Sequence, residues 1–271
     1  MRLTSGEEVR CKGGPSTGGR DNTPGFSFTI AGMTWSIVAR DTSGAFGVAV
    51  ASRFFAVGAL CPHARSGAGA LSTQALINPT YARPGLDLLS EGVPAPEVVR
   101  MLTSPDAGRE SRQLHVVDNE GRTAAHTGAS CIDWCGHRAG EGFSVAGNML
   151  AGPQVVAASA ETYERESGLP FAERLLAALA AGEAAGGDKR GKQAAALLVY
   201  TTEDYPFLDL RVDDHAEPIV ELRRLYDVSL DRFQPFLSCV ASKARPAGIT
   251  DRAVIEEEVA RFQLLRTSRG A

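Results

Sequence analysis

Residues 33–53 read MTWSIVARDTSGAFGVAVASR, and the fold follows from how this stretch pairs. Two runs of β-branched and small apolar residues flank Asp41-Thr42-Ser43-Gly44, a turn composition, so the segment reads as a β-hairpin. With Thr42 and Ser43 as a two-residue loop, Thr34 is expected opposite Ala51, with Ser52 and Arg53 beside the start of the first strand. That start is Met33 followed by Thr34. A Met before a small residue is easily trimmed, and the product would begin with a threonine. Such a residue joins a hydroxyl nucleophile to an α-amine of pKa roughly 7.7–8.0 that serves as its base. The competing reading is an ordinary strand Thr, a residue of good β propensity. Ser36, two residues on, shares the face of Thr34 and is the alternative hydroxyl.

Composition narrows the function classes. The 271 residues fit one large domain, or a domain with an appendage, and 44% hydrophobic content supplies a sizeable core. A net charge of −4 with scattered basic residues argues against nucleic acid as a partner. No apolar run reaches the length of a membrane span. Five cysteines at irregular spacing read as free thiols of a reducing, cytoplasmic setting.

Residues 1–32 are rich in Gly, Pro, Ser and Thr, lack the apolar run of a secretory signal, and hold one strand-like piece, Phe26–Ile30. They are an over-extended start with Met33 as the true beginning, a removable propeptide, or a disordered tail. The first is favoured, and the distinction matters because an attached tail leaves no free amine on Thr34.

Further along, Ser66–Gln74 is a small-residue strand of the kind that lets a neighbour approach closely. Helices are expected at Pro84–Ser90, Pro94–Thr103, Pro153–Ser167, Pro170–Gly182, Pro218–Phe233 and Thr250–Arg266. The last of these has Ile255, Val259 and Phe262 inward. Strands are expected at Gln113–Val117 and Arg122–His126 around a second turn, and at Phe143–Leu150, Ala194–Tyr200 and Phe207–Val212. The stretch holding Cys131, Trp134, Cys135 and His137 reads as a loop. Residues 33–233 form the domain, and 234–271 a linker with a C-terminal helix. Paired strands separated by helix pairs fit an α+β chain in which helix layers enclose two sheets, rather than a doubly wound parallel sheet.

Four blocks now bear on identity: MTWSIVARDTSGAFGVAVASRFFAVGA, SGAGALSTQA with INPTYARPGLDLL, GNMLAG at 147–152, and AAGGDKRGKQAAALLV. Together they resemble the bacterial family called domain of unknown function 1028, which is assigned to the N-terminal-nucleophile (Ntn) hydrolase superfamily. The resemblance implies an αββα four-layer sandwich with two mainly antiparallel sheets, and hydrolysis of an amide-type C–N bond without cofactor or metal. GVAVASR also looks like the second strand of proteasome-type β subunits. There an Asp precedes the Ser-Arg pair, whereas Ala51 stands here, which argues against a peptidase.

The remaining candidates each have two readings. Asn148, beside Gly147, supplies an amide to a tetrahedral oxyanion or caps the following helix. Arg53 orients a substrate carboxylate through its fork or is a solvated strand end. Gly186–Lys192 fits the phosphate-loop pattern until Gln193 replaces the Mg²⁺-binding hydroxyl, and it follows a helix instead of a strand, so nucleotide binding is rejected. Asp188, Arg190 and Gln193 then either meet a small polar substrate at the mouth of the site or line a solvated turn. Cys131, Cys135, His126 and His137 have loose spacing for zinc, and a packing role is preferred. His63, His115 and His215 show no partner pattern. The expectation is an amidohydrolase with Thr34 as nucleophile, Ser36 as the backup hydroxyl and Asn148 holding the oxyanion. Its rivals are a non-catalytic binding or assembly module and a thiol hydrolase using Cys61 or Cys131. Association into a homo-oligomer fits such a sandwich, though no interface is legible.

Overall fold

The hairpin of residues 33–53 forms, with one difference in its turn. The computed structural model describes residues 9–10 and 34–269, with side chains over 34–266. β2 (Thr34–Arg40) and β3 (Phe46–Ser52) pair antiparallel, and Thr34 lies opposite Ser52, one residue beyond the expected Ala51. The cause is Gly44, whose φ of 88° makes it a third loop residue. Asp41 N–H donates to the Ala45 carbonyl (2.9 Å) and Gly44 N–H to that of Asp41 (3.1 Å). The Asp41 carboxylate accepts from the Ser43 amide and hydroxyl and from Ala45 N–H at 2.7–2.9 Å, holding the longer loop closed. A one-residue shift changes which face each partner occupies, so Thr34 acquires Ser52 as its same-face neighbour.

The described residues form a mixed α+β fold with two antiparallel sheets and seven α-helices. Strands β1 (Val9–Arg10), β4 (Pro62–Arg65), β5 (Gly69–Ala75), β6 (Arg112–Asp118), β7 (Thr123–Thr127), β8 (Trp134–Gly140), β9 (Phe143–Leu150), β10 (Ala194–Tyr200) and β11 (Leu208–Val212) complete the sheets. One sheet runs β1-β8-β9-β2-β3-β10-β11, the other β4-β5-β6-β7. The hairpin is therefore central, with β9 on one side and β10 on the other.

Helices α1 (Ala82–Ser90) and α2 (Ala95–Thr103) pack Leu86, Leu89, Val98 and Leu102 against Leu71, Leu114 and Val116 of the smaller sheet. Helices α3 (Pro153–Arg165), α4 (Phe171–Ala184) and α5 (Pro218–Ser229) cover the larger one, where Tyr163, Leu175, Leu179 and Leu222 meet Trp35, Ile37, Ala49, Val145 and Leu197. Each such buried aliphatic or aromatic side chain contributes about 1.5–3 kcal/mol, which makes this the main cohesive layer. Between the sheets, Val38, Phe46, Val48, Ala64, Ala70 and Val117 form a smaller apolar cluster. The small-residue strand behaves as its composition requires: a Cβ on Gly69 would lie 2.5 Å from the Val117 carbonyl and 2.9 Å from Leu89.

Three local expectations are corrected. The segment 134–140 is strand β8 rather than loop, because its neighbour β9 supplies a long antiparallel partner despite weak intrinsic β character. β4 was not evident in the sequence, being four residues that start with Pro62. The expected linker after residue 234 contains most of a short helix, α6 (Phe233–Leu237), before α7 (Arg252–Arg269). On α7, Val259 is buried and Ile255 half-buried, whereas Phe262 is exposed instead of inward. The piece Phe26–Ile30 lies outside the described residues. Among the described residues no helix is long and apolar enough to cross a membrane.

Candidate functional site

Thr34 begins β2 between two polar neighbours, Ser52 across one ladder and Asn148 across the other. Its Oγ1 donates to Ser52 Oγ at 3.2 Å. Asn148 Nδ2 donates to the Thr34 carbonyl (3.4 Å) and to Gln113 Oε1 (3.2 Å), both long bonds. Asn148 Oδ1 is buried with no partner among the described residues, and a buried acceptor left unpaired costs about 1–3 kcal/mol. The next residue, Met149, holds a left-handed conformation (φ 54°) that only glycine adopts cheaply. An orphaned amide oxygen and a strained backbone thus sit directly beside Thr34. Asn148 lies within β9, so it does not cap the helix at Pro153.

Three of the four expected substrate-binding residues are gathered at the same sheet end. Asp188 forms an isolated antiparallel bridge with Leu150, and its buried carboxylate accepts from the Arg53 and Arg190 amides, both at 2.8 Å. Arg190 Nη2 adds a bond at 3.2 Å, and Arg53 Nη1 donates to the Arg190 carbonyl at 3.0 Å. The glycine-rich loop is thereby pinned to the end of β3. Gln193 diverges: its amide donates to Asp214 Oδ1 (3.1 Å), toward the segment after β11.

Ser36 occupies a different place, deep between the sheets among Ser72, Gln74, His115 and Ser144, all buried. The orientation of the two amides in this polar seam can be traced from two main-chain carbonyls. Gln113 Nε2 donates to Gly136 O (3.1 Å) and Gly147 O (3.0 Å), which accept only, so Gln113 Oε1 must face the other way. There it receives Gln74 Nε2 at 2.7 Å, which turns Gln74 Oε1 toward Ser36. Ser36 gives its hydroxyl proton to Gln74 Oε1 (2.7 Å) and lies 2.8 Å from His115 Nε2. His115 Nδ1 lies 3.2 Å from Ser144 Oγ, and the ring also donates to the Ser144 backbone carbonyl. Burial first, then the nearby His137, pushes the His115 pKa down to about 3, so the ring is neutral at ordinary pH. Ser36 is thus an interior hydroxyl fastened between Gln74 and His115.

The thiols and histidines are engaged elsewhere. Cys61 is fully buried, and burial raises its pKa to about 12, so it carries no thiolate. Cys135 Sγ points at the Cys131 carbonyl (3.7 Å), His126 Nε2 lies 2.9 Å from the Arg109 carbonyl, and His137 Nδ1 lies 3.0 Å from Thr127 Oγ1. Among the described residues no group of three or more His, Cys, Asp or Glu is arranged to hold a metal ion. The residues that sequence reasoning missed are Gln74, Gln113, His115 and Ser144. Their one signal is the polar–apolar alternation Gln113-Leu114-His115-Val116 inside a strand.

Comparison with known proteins agrees with this fold. The model of a family of unknown function, DUF1028, matches residues 34–222. The crystal structure of protein SPO2555 from Silicibacter pomeroyi, described by the same family, is 33% identical with a TM-score of 0.75, covering 81% of this chain and 96% of its own. Anbu (ancestral beta-subunit) from Yersinia bercovieri is 12% identical with a TM-score of 0.34, covering 72% and 94% respectively. No curated protein matches the chain.

Proposed function

This chain belongs to the DUF1028 family, and from that premise we propose an N-terminal-nucleophile amidohydrolase acting on a C–N bond, amide or ureido, of a small polar substrate. In this reading α3, α4 and α5 over one sheet, and α1 and α2 over the other, are the outer layers of an αββα sandwich. Cleavage before Thr34, whether Met33 is the first residue or ends a removed segment that includes β1, frees the Thr34 α-amine. The amine takes the Oγ1 proton as the oxygen attacks the substrate carbonyl carbon, and later returns a proton to the departing nitrogen. Asn148 Nδ2, held only by its two long bonds, turns to the tetrahedral oxyanion. Water then cleaves the acyl ester and regenerates the hydroxyl. Arg53 and Arg190, braced by Asp188, orient the polar end of the substrate.

The observation that carries the reading is the meeting of Thr34 with Asn148 across one ladder, where the amide oxygen is unpaired and the next residue is strained. The family match beginning at Thr34 supports it. Buried Cys61 and Cys239 carry free thiols, which supports a reducing, cytoplasmic compartment. Mass spectrometry of the purified N-terminus, with small amides screened against wild type and Thr34→Ala, tests the proposal. A chain beginning at Thr34 that loses turnover in the variant is expected. Full turnover in Thr34→Ala, or in a species retaining Met33, removes Thr34 as the nucleophile. One observation favours a second reading, a non-catalytic binding or assembly module: the Thr34 side chain is 1% exposed. A chain that retains Met33 and hydrolyses nothing supports that module.

A further inference from the structure

Helix α7 lies outside the matched family region, which ends at residue 222. Its 18 residues span about 27 Å. One side is fastened to the α5–α6 region by buried Val259 and by bonds of Arg232 to Glu256 (2.8 Å), Gln263 to the Asp231 carbonyl (2.6 Å) and Arg266 to Asp231 (3.1 Å). At about 100° per residue, the opposite side carries Val254, Glu257, Arg261 and Leu264. Leu264 is 71% exposed and Val254 37%.

The order along this outer side is apolar, acidic, basic, apolar, and it is symmetric in spacing about position 259. Laid antiparallel on the same face of a second copy, Val254 meets Leu264 of that copy and Glu257 meets its Arg261. The two-fold axis repeats both contacts, as a self-complementary interface requires. A parallel alignment in register sets Glu257 on Glu257 and Arg261 on Arg261, so charge selects the antiparallel one. Glu257 has no ion-pair partner among the described residues. Arg261 shares one bond with Glu258 (2.6 Å), an exposed pair of little worth that uses one of its five donors. We propose that α7 is a dimerisation helix, pairing antiparallel with α7 of a second copy of this chain. The inference is independent of any catalytic role. A single helix crossing buries less than the roughly 800 Å² per partner of a standard interface, so the dimer dissociates on dilution.

Sedimentation velocity of the full chain across roughly 1–100 µM, the range expected of a small interface, tests this. The mass is expected to rise with concentration from that of one chain, as mass spectrometry gives it, toward twice that value. Leu264→Glu and Glu257→Arg are each expected to weaken association at least tenfold, with helix content unchanged by circular dichroism. The double reversal Glu257→Arg with Arg261→Glu restores the charge pairs and is expected to restore association. A monomer at every concentration overturns the proposal. So does a dimer that neither single variant weakens, or a double reversal that stays as weak as Glu257→Arg.

Discussion

Acidification is expected to destabilise this protein through His115, by an amount that can be worked out from its surroundings. The ring is fully buried, and its pKa is pushed from the ordinary 6.5 down to about 3. In the unfolded chain the same ring takes a proton near pH 6.5. Below that pH the unfolded state therefore holds a proton that the native state refuses. Stability falls as pH drops from 6.5 toward 3, and above 6.5 the group adds no pH dependence. Linkage puts the loss at about 0.8 kcal/mol at pH 6 and about 2 kcal/mol at pH 5. His63 and His137 are also shifted down, chiefly by burial, and share the sign, so the whole slope is not attributable to one ring. The decisive comparison is with His115→Gln, which is neutral at every pH and carries both a donor and an acceptor. Urea unfolding of both proteins at pH 7.5, 6.0 and 5.0 measures the difference. The wild-type advantage is expected to shrink by about 2 kcal/mol between the first and last pH. Parallel pH profiles refute a buried neutral imidazole at position 115.

Other perturbations follow from the site. Asp188→Ala removes the carboxylate that pins the glycine-rich loop, and is expected to cost about 2–4 kcal/mol in urea melts, since several charge-assisted bonds are lost. Limited trypsin digestion should then cut at Lys189, Arg190 or Lys192, while Asp188→Asn, which keeps an acceptor, is intermediate. Asn148→Ala is expected to lower turnover about 10²–10³-fold, the usual loss for an oxyanion donor. Its stability should change by under about 1 kcal/mol, because the deleted amide has one unpaired oxygen and two long bonds. Cys61 is expected to resist a thiol reagent in the native protein and react once unfolded, as a pKa of about 12 requires. Rapid native labelling would contradict the burial.

What could be read in advance was whatever local chemistry decides. Pro153 at the first turn of α3, and the apolar face of Leu175, Leu176 and Leu179 on α4, marked their helices without any tertiary information. The turn of the hairpin was recognised but its register missed by one, because Asp-Thr-Ser-Gly composition does not reveal that Gly44 extends the loop. β8 escaped notice because WCGHRAG carries little intrinsic strand preference and forms on the template of β9. At the site, Thr34, Asn148, Arg53, Asp188 and Arg190 were legible as chemistry, and the structure brings them to one sheet end. The seam was not legible. Ser36 and His115 stand 79 residues apart in sequence, and only the facing of two sheets makes them neighbours.

That seam has a consequence for anyone who would redesign the protein. Because Gly136 and Gly147 offer nothing but lone pairs, polarity is dictated from the backbone outward, through Gln113 and Gln74 to Ser36. A carboxylate introduced at 113 would confront two carbonyl oxygens at once, and reversing any amide downstream would set like against like at both its ends. The two amides are therefore coupled, and replacement at 113 calls for a matching replacement at 74, which makes this pair the part of the interior least open to gradual change.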